Sequence, residues 1–233
     1  MMSTSKPRSL PTAESRASHV AYVIFRSIVC WFTQAFTRMR IEGREHLPAS
    51  GAYVVAPVHR SYVDTPITAC IATRRIRFMG KQELWKYRSV GWLIATLGAF
   101  PVNRGHADRE ALTKCVQILE SGEPLTLFPE GERKDGPRIH PLFDGAAYVA
   151  ARARVPIIPV GIGGSARVMP RHAKFIHPRK VCVVIGEPIW VIDPSDPVAT
   201  ASTRTPRQAV KEASERLSAE LQRLFDTAQS RVG

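Results

Sequence analysis

Between residues 20 and 36, apolar side chains nearly fill a helical surface: Val20, Tyr22, Val23, Ile24, Phe25, Ile28, Val29, Trp31, Phe32 and Phe36. A membrane-spanning helix needs about 20 apolar residues with few or no charges. Here Arg26 interrupts the run, and Gln34 and Arg38 follow closely. A secretory leader fits poorly, because Arg26 breaks the apolar stretch and no small-residue cleavage site follows. Two assignments remain: a core helix, or a helix in the membrane interface with Trp31 and the phenylalanines toward lipid. Apolar residues on most faces and flanking cations favour the interfacial one. Residues 20–38 are therefore predicted as a monotopic membrane-associating helix. The polar, basic residues 1–19 before it read as a flexible tail.

From residue 39 onward the pattern changes to alternation. Short β-type runs fall at 52–56, 76–79, 99–102, 125–128, 156–162 and 181–185. Helical stretches lie between them at 64–73, 90–97, 108–121 and 143–153. This order predicts an α/β fold over residues 39–192, a single layered domain with a largely parallel central sheet flanked by helices. Residues 193–206 form a loop by composition. An amphipathic helix follows at about 207–229, with Val210, Leu217, Leu221 and Leu224 at helical spacing. Residues 193–233 are thus a loop and a C-terminal helix packed on the domain.

Charge narrows the partners. The 233 residues include 33 Lys and Arg against 20 Asp and Glu, a net charge of +13. Such an excess points to nucleic acid, an anionic membrane or phosphorylated substrates. The densest basic runs are Arg74, Arg75, Arg77, Lys81, Lys86 and Arg88, and Arg171, Lys174, Arg179 and Lys180. The C-terminal segment is balanced. Cys30, Cys70, Cys115 and Cys182 are far apart with no C-x-x-C pair, which reads as free thiols in a reducing compartment. The scattered histidines give no metal-ligand spacing, so no metal is predicted.

The candidate chemistry lies at residues 54–66. A β-type run ends shortly before His59, and Asp64-Thr65-Pro66 reads as a helix start with Asp64 as N-cap. A histidine and a carboxylate thus share one strand-to-helix loop, at the strand end where parallel α/β sheets bind ligands. An Asp accepting from one imidazole nitrogen leaves the other as a base. Read alone, the pair is equally a loop histidine and an ordinary cap. Three further segments sit at strand ends: Gly98 to Gly105, containing Arg104; Phe128-Pro129-Glu130-Gly131-Glu132-Arg133; and Val155 to Gly161.

In this order and spacing, the four segments resemble the sequence blocks of the glycerolphosphate and 1-acylglycerol-3-phosphate acyltransferase family, over about residues 39–190. Residues 41–48, 81–84 and 186–189 add to the resemblance. It implies that His59 is the general base and Asp64 its orienting partner. Arg104 and Arg133 would hold the acceptor's phosphate, with Glu130 and Gly131 shaping that pocket and Lys81 and Ser61 as additional candidates. The implied reaction transfers a fatty acyl group from acyl-CoA or acyl carrier protein to lysophosphatidic acid, giving phosphatidic acid. No cofactor beyond the donor is implied. The implied place is the cytoplasmic face of the cell membrane, held peripherally or monotopically against an anionic surface.

The chemistry agrees with this inventory. Thioester-to-alcohol transfer needs a base for the incoming hydroxyl, while a thiolate leaves readily, since a thiol's pKa is only about 8.5. No Gly-x-Ser-x-Gly elbow suggests a serine hydrolase. Departures from the family pattern are Glu132 for a usual Thr, Lys134 for a frequent Ser, and Asp144 where a basic residue is common. They put the exact acceptor in question, with glycerol-3-phosphate or another lysolipid as the alternative. Trp92, Leu93, Ile94 and Phe100 read equally as an acyl-chain lining or as core. Gly161-Ile162-Gly163-Gly164-Ser165-Ala166 mimics a dinucleotide fingerprint, but the residues after it do not continue a helix, so a nucleotide cofactor is not predicted. Nucleic acid is disfavoured because no zinc-finger, zipper or RNP-type pattern is present. An inactive membrane-surface or polyanion-binding protein would have lost His59 or Asp64, and both are present.

Overall fold

The computed structural model describes residues 16–102, 109–170, 173, 175–192, 195 and 206–233. Its centre is a seven-stranded sheet in the order β1-β7-β6-β2-β5-β3-β4. The strands are β1 (Arg40–Glu42), β2 (Val54–Pro57), β3 (Arg77–Lys81), β4 (Ala99–Val102), β5 (Leu125–Thr126), β6 (Ile157–Gly163) and β7 (Cys182–Ile185). Strands β6, β2, β5, β3 and β4 run parallel, and β7 joins β6 antiparallel, carrying β1 beside it. The sheet is therefore largely parallel, as the alternation predicted. The edge strand β1 went unpredicted because three residues are too few to show a period.

Apolar runs in β2 and β6 follow from burial on both faces. All four residues of β2 and all seven of β6 are buried. Successive side chains point to opposite sides, so Val54 and Ala56 join one core while Tyr53 and Val55 join the other. The first core is closed by α4 (Arg109–Glu120), α5 (Gly145–Ala153) and α7 (Arg207–Ser230). The second lies under α1 (Arg16–Thr37) and α2 (Asp64–Ala69). Two further short α-helices are α3 (Arg88–Thr96) and the single turn α6 (Ser165–Val168), and 3-10 turns lie at Arg44–His46 and Gln82–Lys86.

The glycines of the apparent dinucleotide fingerprint have a packing reason. A Cβ on Gly161 would sit 2.4 Å from the backbone of Leu224, and one on Gly163 would sit 2.3 Å from that of Ala228. Both lie in β6, so only a strand without side chains there lets α7 rest directly on the sheet. Leu217, Leu221, Leu224 and Phe225 then fill the core from above.

Helix α1 has two unlike faces. Tyr22, Thr33 and Thr37 are buried, and Arg26 donates from Nη2 to the carbonyl of Ala72. The charge that interrupts the apolar run thus faces the domain. Cys30, on the same face, is joined to Cys70 by a disulfide with Cα atoms 5.4 Å apart. This corrects the expectation of four free thiols: forty residues of sequence separation conceal that α1 lies alongside the end of α2. Cys115 and Cys182 are free and buried, and burial pushes the Cys115 thiol up to about 12. The outward face of α1 exposes Val20, Val23, Ile24, Ile28, Trp31 and Phe32. No described helix is long and apolar enough to cross a membrane.

Candidate active site

The carboxyl ends of the five parallel strands open on one edge, where their loops gather the candidate residues. His59 follows β2, and Glu130 follows β5. Lys81 ends β3, in register with Val102 at the end of β4. Arg104, two residues beyond, lies outside the described residues.

The His59 loop is organised around one carboxylate oxygen. Asp64 Oδ2 accepts from His59 Nδ1 at 3.1 Å, from the Arg60 amide at 2.7 Å and from the Ser61 amide at 2.6 Å. Asp64 is fully buried, whereas the His59 side chain keeps 16% exposure. The expected N-cap role is corrected: Asp64 is the first residue of α2, the cap position belongs to Val63, and no side chain caps the helix. Asp64 Oδ2 is taken by the three donors of the preceding loop, and its buried Oδ1 has no partner among the described residues. Ser61, a candidate for substrate contact, is buried and donates from Oγ to the Met169 carbonyl at 2.8 Å, tying the loop to the end of α6. The His59 ring stacks on Phe128, with centroids 4.0 Å apart.

With its proton on Nδ1, His59 donates to Asp64 Oδ2, and Nε2 then keeps a lone pair that can act as a base. The geometry thus sets the tautomer and ring plane required for general-base work.

The second loop is braced from inside. Glu130 is buried, and its Oε2 accepts from Arg60 Nη1 at 2.7 Å and from the His59 amide at 3.3 Å, while Oε1 accepts from the His140 amide at 3.0 Å. Glu130 thus has both oxygens engaged within the protein. Arg60 also donates to the carbonyls of His59, Gly136 and Arg138, and its guanidinium lies 5.0 Å from the Phe225 ring centroid. Gly131 has φ +73°, and a Cβ there would meet the Phe143 ring at 2.6 Å. That left-handed turn carries the chain to Arg133. The Lys134 amide donates to the His59 carbonyl at 2.9 Å, laying the Arg133 loop against the His59 loop. Arg133 stacks its guanidinium 3.3 Å from the Tyr62 ring centroid. Its Nη1 is buried without a hydrogen-bond partner among the described residues.

The family model described as Acyltransferase matches residues 38–163, more than half of the chain. The chain belongs to the acyltransferase family. Relatives include a 1-acyl-sn-glycerol-3-phosphate acyltransferase of Bacillus subtilis, 28% identical over 185 residues, covering 77% of this chain and 89% of the relative. The enzyme of that name from Streptococcus pneumoniae is 32% identical over 145 residues, covering 60% of this chain and 51% of its own. A chloroplastic one from Brassica napus is 28% identical over 159 residues, 66% of this chain. The chain matches 46% of that plant protein's length. The crystal structure of the 1-acyl-sn-glycerophosphate acyltransferase PlsC from Thermotoga maritima shares the fold, with a TM-score of 0.73 at 22% identity over 91% of this chain and 83% of its own.

This acyltransferase accommodates its departures from the family pattern locally. Glu132 pairs with Lys134 at 2.8 Å, so the two departures answer each other. Asp144 accepts from Ser214 of α7 at 2.7 Å. The residues Trp92, Leu93, Ile94 and Phe100, ambiguous in sequence, part ways: Phe100 is core, Trp92 and Leu93 are exposed, and Ile94 lines a cavity. That apolar cavity of about 250 Å³ lies under α1, with Val29, Phe78 and Leu97 in its wall, and it reaches Thr65 and Pro66 just after Asp64.

Sequence reasoning missed Arg60, Tyr62 and Phe128. Arg60 and Tyr62 lie inside the quoted loop, but only their three-dimensional partners give them roles. Three arginines of the basic run at 74–88 are bonded within the protein. Arg74 donates to the carbonyls of Gly51 and Gly122, Arg75 to those of Ala95 and Thr96, and Arg77 forms a paired bond with Glu123 at 2.6 and 3.0 Å. In the second basic run, Arg171 and Lys174 lie outside the described residues.

Proposed function

We propose that this acyltransferase moves a fatty acyl group from a thioester donor, acyl-CoA or acyl carrier protein, to the free hydroxyl of 1-acylglycerol-3-phosphate, giving phosphatidic acid. The observation that carries this reading is the His59 Nδ1–Asp64 Oδ2 bond beside an arginine whose guanidinium has a donor without a partner. His59 Nε2 takes the proton of the acceptor hydroxyl as its oxygen attacks the thioester carbonyl. The tetrahedral intermediate collapses, the carbon–sulfur bond breaks, and the imidazolium returns the proton to the departing thiolate. Asp64 keeps its charge throughout and favours the imidazolium. Arg133 binds the acceptor phosphate through paired charge-assisted bonds, with Arg104 as a second cation. The cavity beneath α1 receives part of an acyl chain.

Thiol release from palmitoyl-CoA, with and without lysophosphatidate, tests the mechanism. His59→Ala should lower the acceptor-dependent rate by about 10²- to 10⁴-fold, the usual worth of a positioned base. Acceptor-dependent release that survives the substitution would sink it. Glycerol-3-phosphate or another lysolipid is the second acceptor to try at fixed donor, because Glu132 and Lys134 replace the usual residues beside Arg133.

The exposed side of α1, with Trp31 at 72% exposure and Trp92 of α3 set edge-to-face against Phe25, supports a peripheral or monotopic seat on a membrane surface. Ile28→Ser with Trp31→Ser should reduce cosedimentation with anionic vesicles severalfold. Unchanged binding would remove this placement.

A further inference from the structure

Arg133 could have been steadied by a carboxylate, as surface arginines commonly are. Among the described residues it has none, since Glu132 is held by Lys134 and both oxygens of Glu130 are engaged within the buried bracing of the loop. Its neighbour is instead the face of Tyr62, 3.3 Å from the guanidinium carbon. A guanidinium seated over an aromatic ring leaves its fork of N–H donors for other acceptors. A carboxylate partner would have neutralised the charge and occupied the fork. The ring does neither, and its negative face favours the cation where it stands.

Tyr62 is itself set firmly. It lies between His59 and Asp64, in the loop whose amides at Arg60 and Ser61 are fastened to Asp64 Oδ2 and whose Ser61 hydroxyl is fastened to Met169. The side chains on either side of it in sequence turn inward, while the Tyr62 ring projects outward at 55% exposure. One loop therefore carries both the base and the ring on which the phosphate-binding cation rests, and it fixes the distance between them.

We propose that Tyr62 is a positioning residue for the acceptor: its ring holds the Arg133 guanidinium on the loop that packs against the His59 loop, with Nη1 left without a partner among the described residues for a phosphate to take. The proposal rests on the reading of Arg133 as the phosphate ligand. Initial rates are to be measured over a lysophosphatidate titration at saturating palmitoyl-CoA, for Tyr62→Ala, Tyr62→Leu, Tyr62→Phe, Arg133→Ala and the Tyr62→Ala/Arg133→Ala double variant. Tyr62→Ala and Tyr62→Leu should raise the acceptor KM about 3- to 10-fold with kcat within about 2-fold, the scale of a lost cation–π contact. Tyr62→Phe, which keeps the ring, should restore the acceptor KM. In the Arg133→Ala background the Tyr62→Ala change should add almost nothing. The acceptor KM staying at the parent value in Tyr62→Leu would show that bulk suffices and overturn the proposal. So would full additivity with Arg133→Ala, or a loss confined to kcat. An acceptor KM unmoved by Arg133→Ala would instead fell the phosphate reading itself, and the proposal with it.

Discussion

Arg74, Arg75 and Arg77 on one side, and Arg60 and Arg133 at the strand ends, each add one charge to the net +13 yet meet different fates. In the first group the guanidinium groups are wired into the fold, to the carbonyls of Gly51, Gly122, Ala95 and Thr96 and to the carboxylate of Glu123. Burial even lowers Arg75 to about 10. At the strand ends the work is divided. Arg60 is sunk in the interior against Glu130, and Arg133 rests on an aromatic face with no carboxylate or carbonyl bound to it among the described residues. Carbonyls at the ends of helices and turns can take a guanidinium donor, and a buried polar group without a bond is costly. A basic run in sequence is therefore a count of cations and says little about how many of them a ligand can reach.

Substitutions can break this contrast, beginning with the largest effect. Arg60→Ala leaves Glu130 buried without its counter-charge, and loss of one partner of a buried pair costs about 3–5 kcal/mol. Urea unfolding should show that loss, and Glu130→Ala added to it should cost much less than the two alone. Arg77→Ala should cost only about 1 kcal/mol, because its pair with Glu123 is partly in solvent, and the loss should shrink in high salt. Arg133→Ala should shift unfolding by no more than about 1 kcal/mol while weakening the acceptor, the worth of one exposed cation–π contact. If Arg133→Ala proved as destabilising as Arg60→Ala, the division between wired and available arginines would fail.

Much of the sheet was legible because burial on both faces forces continuous apolar runs, and β2 through β7 each left one. Helix α2 was predicted to reach residue 73 but ends at Ala69, since apolar composition continues past the point where the hydrogen bonding stops. The His59 and Asp64 pair was visible as spacing, whereas the sharing of Asp64 Oδ2 by two amides was not, because a backbone donor has no signature in sequence. The ion pair between Arg60 and Glu130 spans 70 positions. Nothing in the local pattern of either residue announces it.

Local periodicity and the order of four short blocks are properties of the chain itself, and they were enough to determine the layered α/β class, the family and the loop that carries the candidate base. Which face of α1 is bare, why Gly161 and Gly163 must lack side chains, that Cys30 meets Cys70, and which arginines keep their donors were decided only when distant segments packed. The reason is physical: charge and hydrophobicity belong to single residues, but burial, pairing and reach belong to neighbours, and the fold alone chooses those.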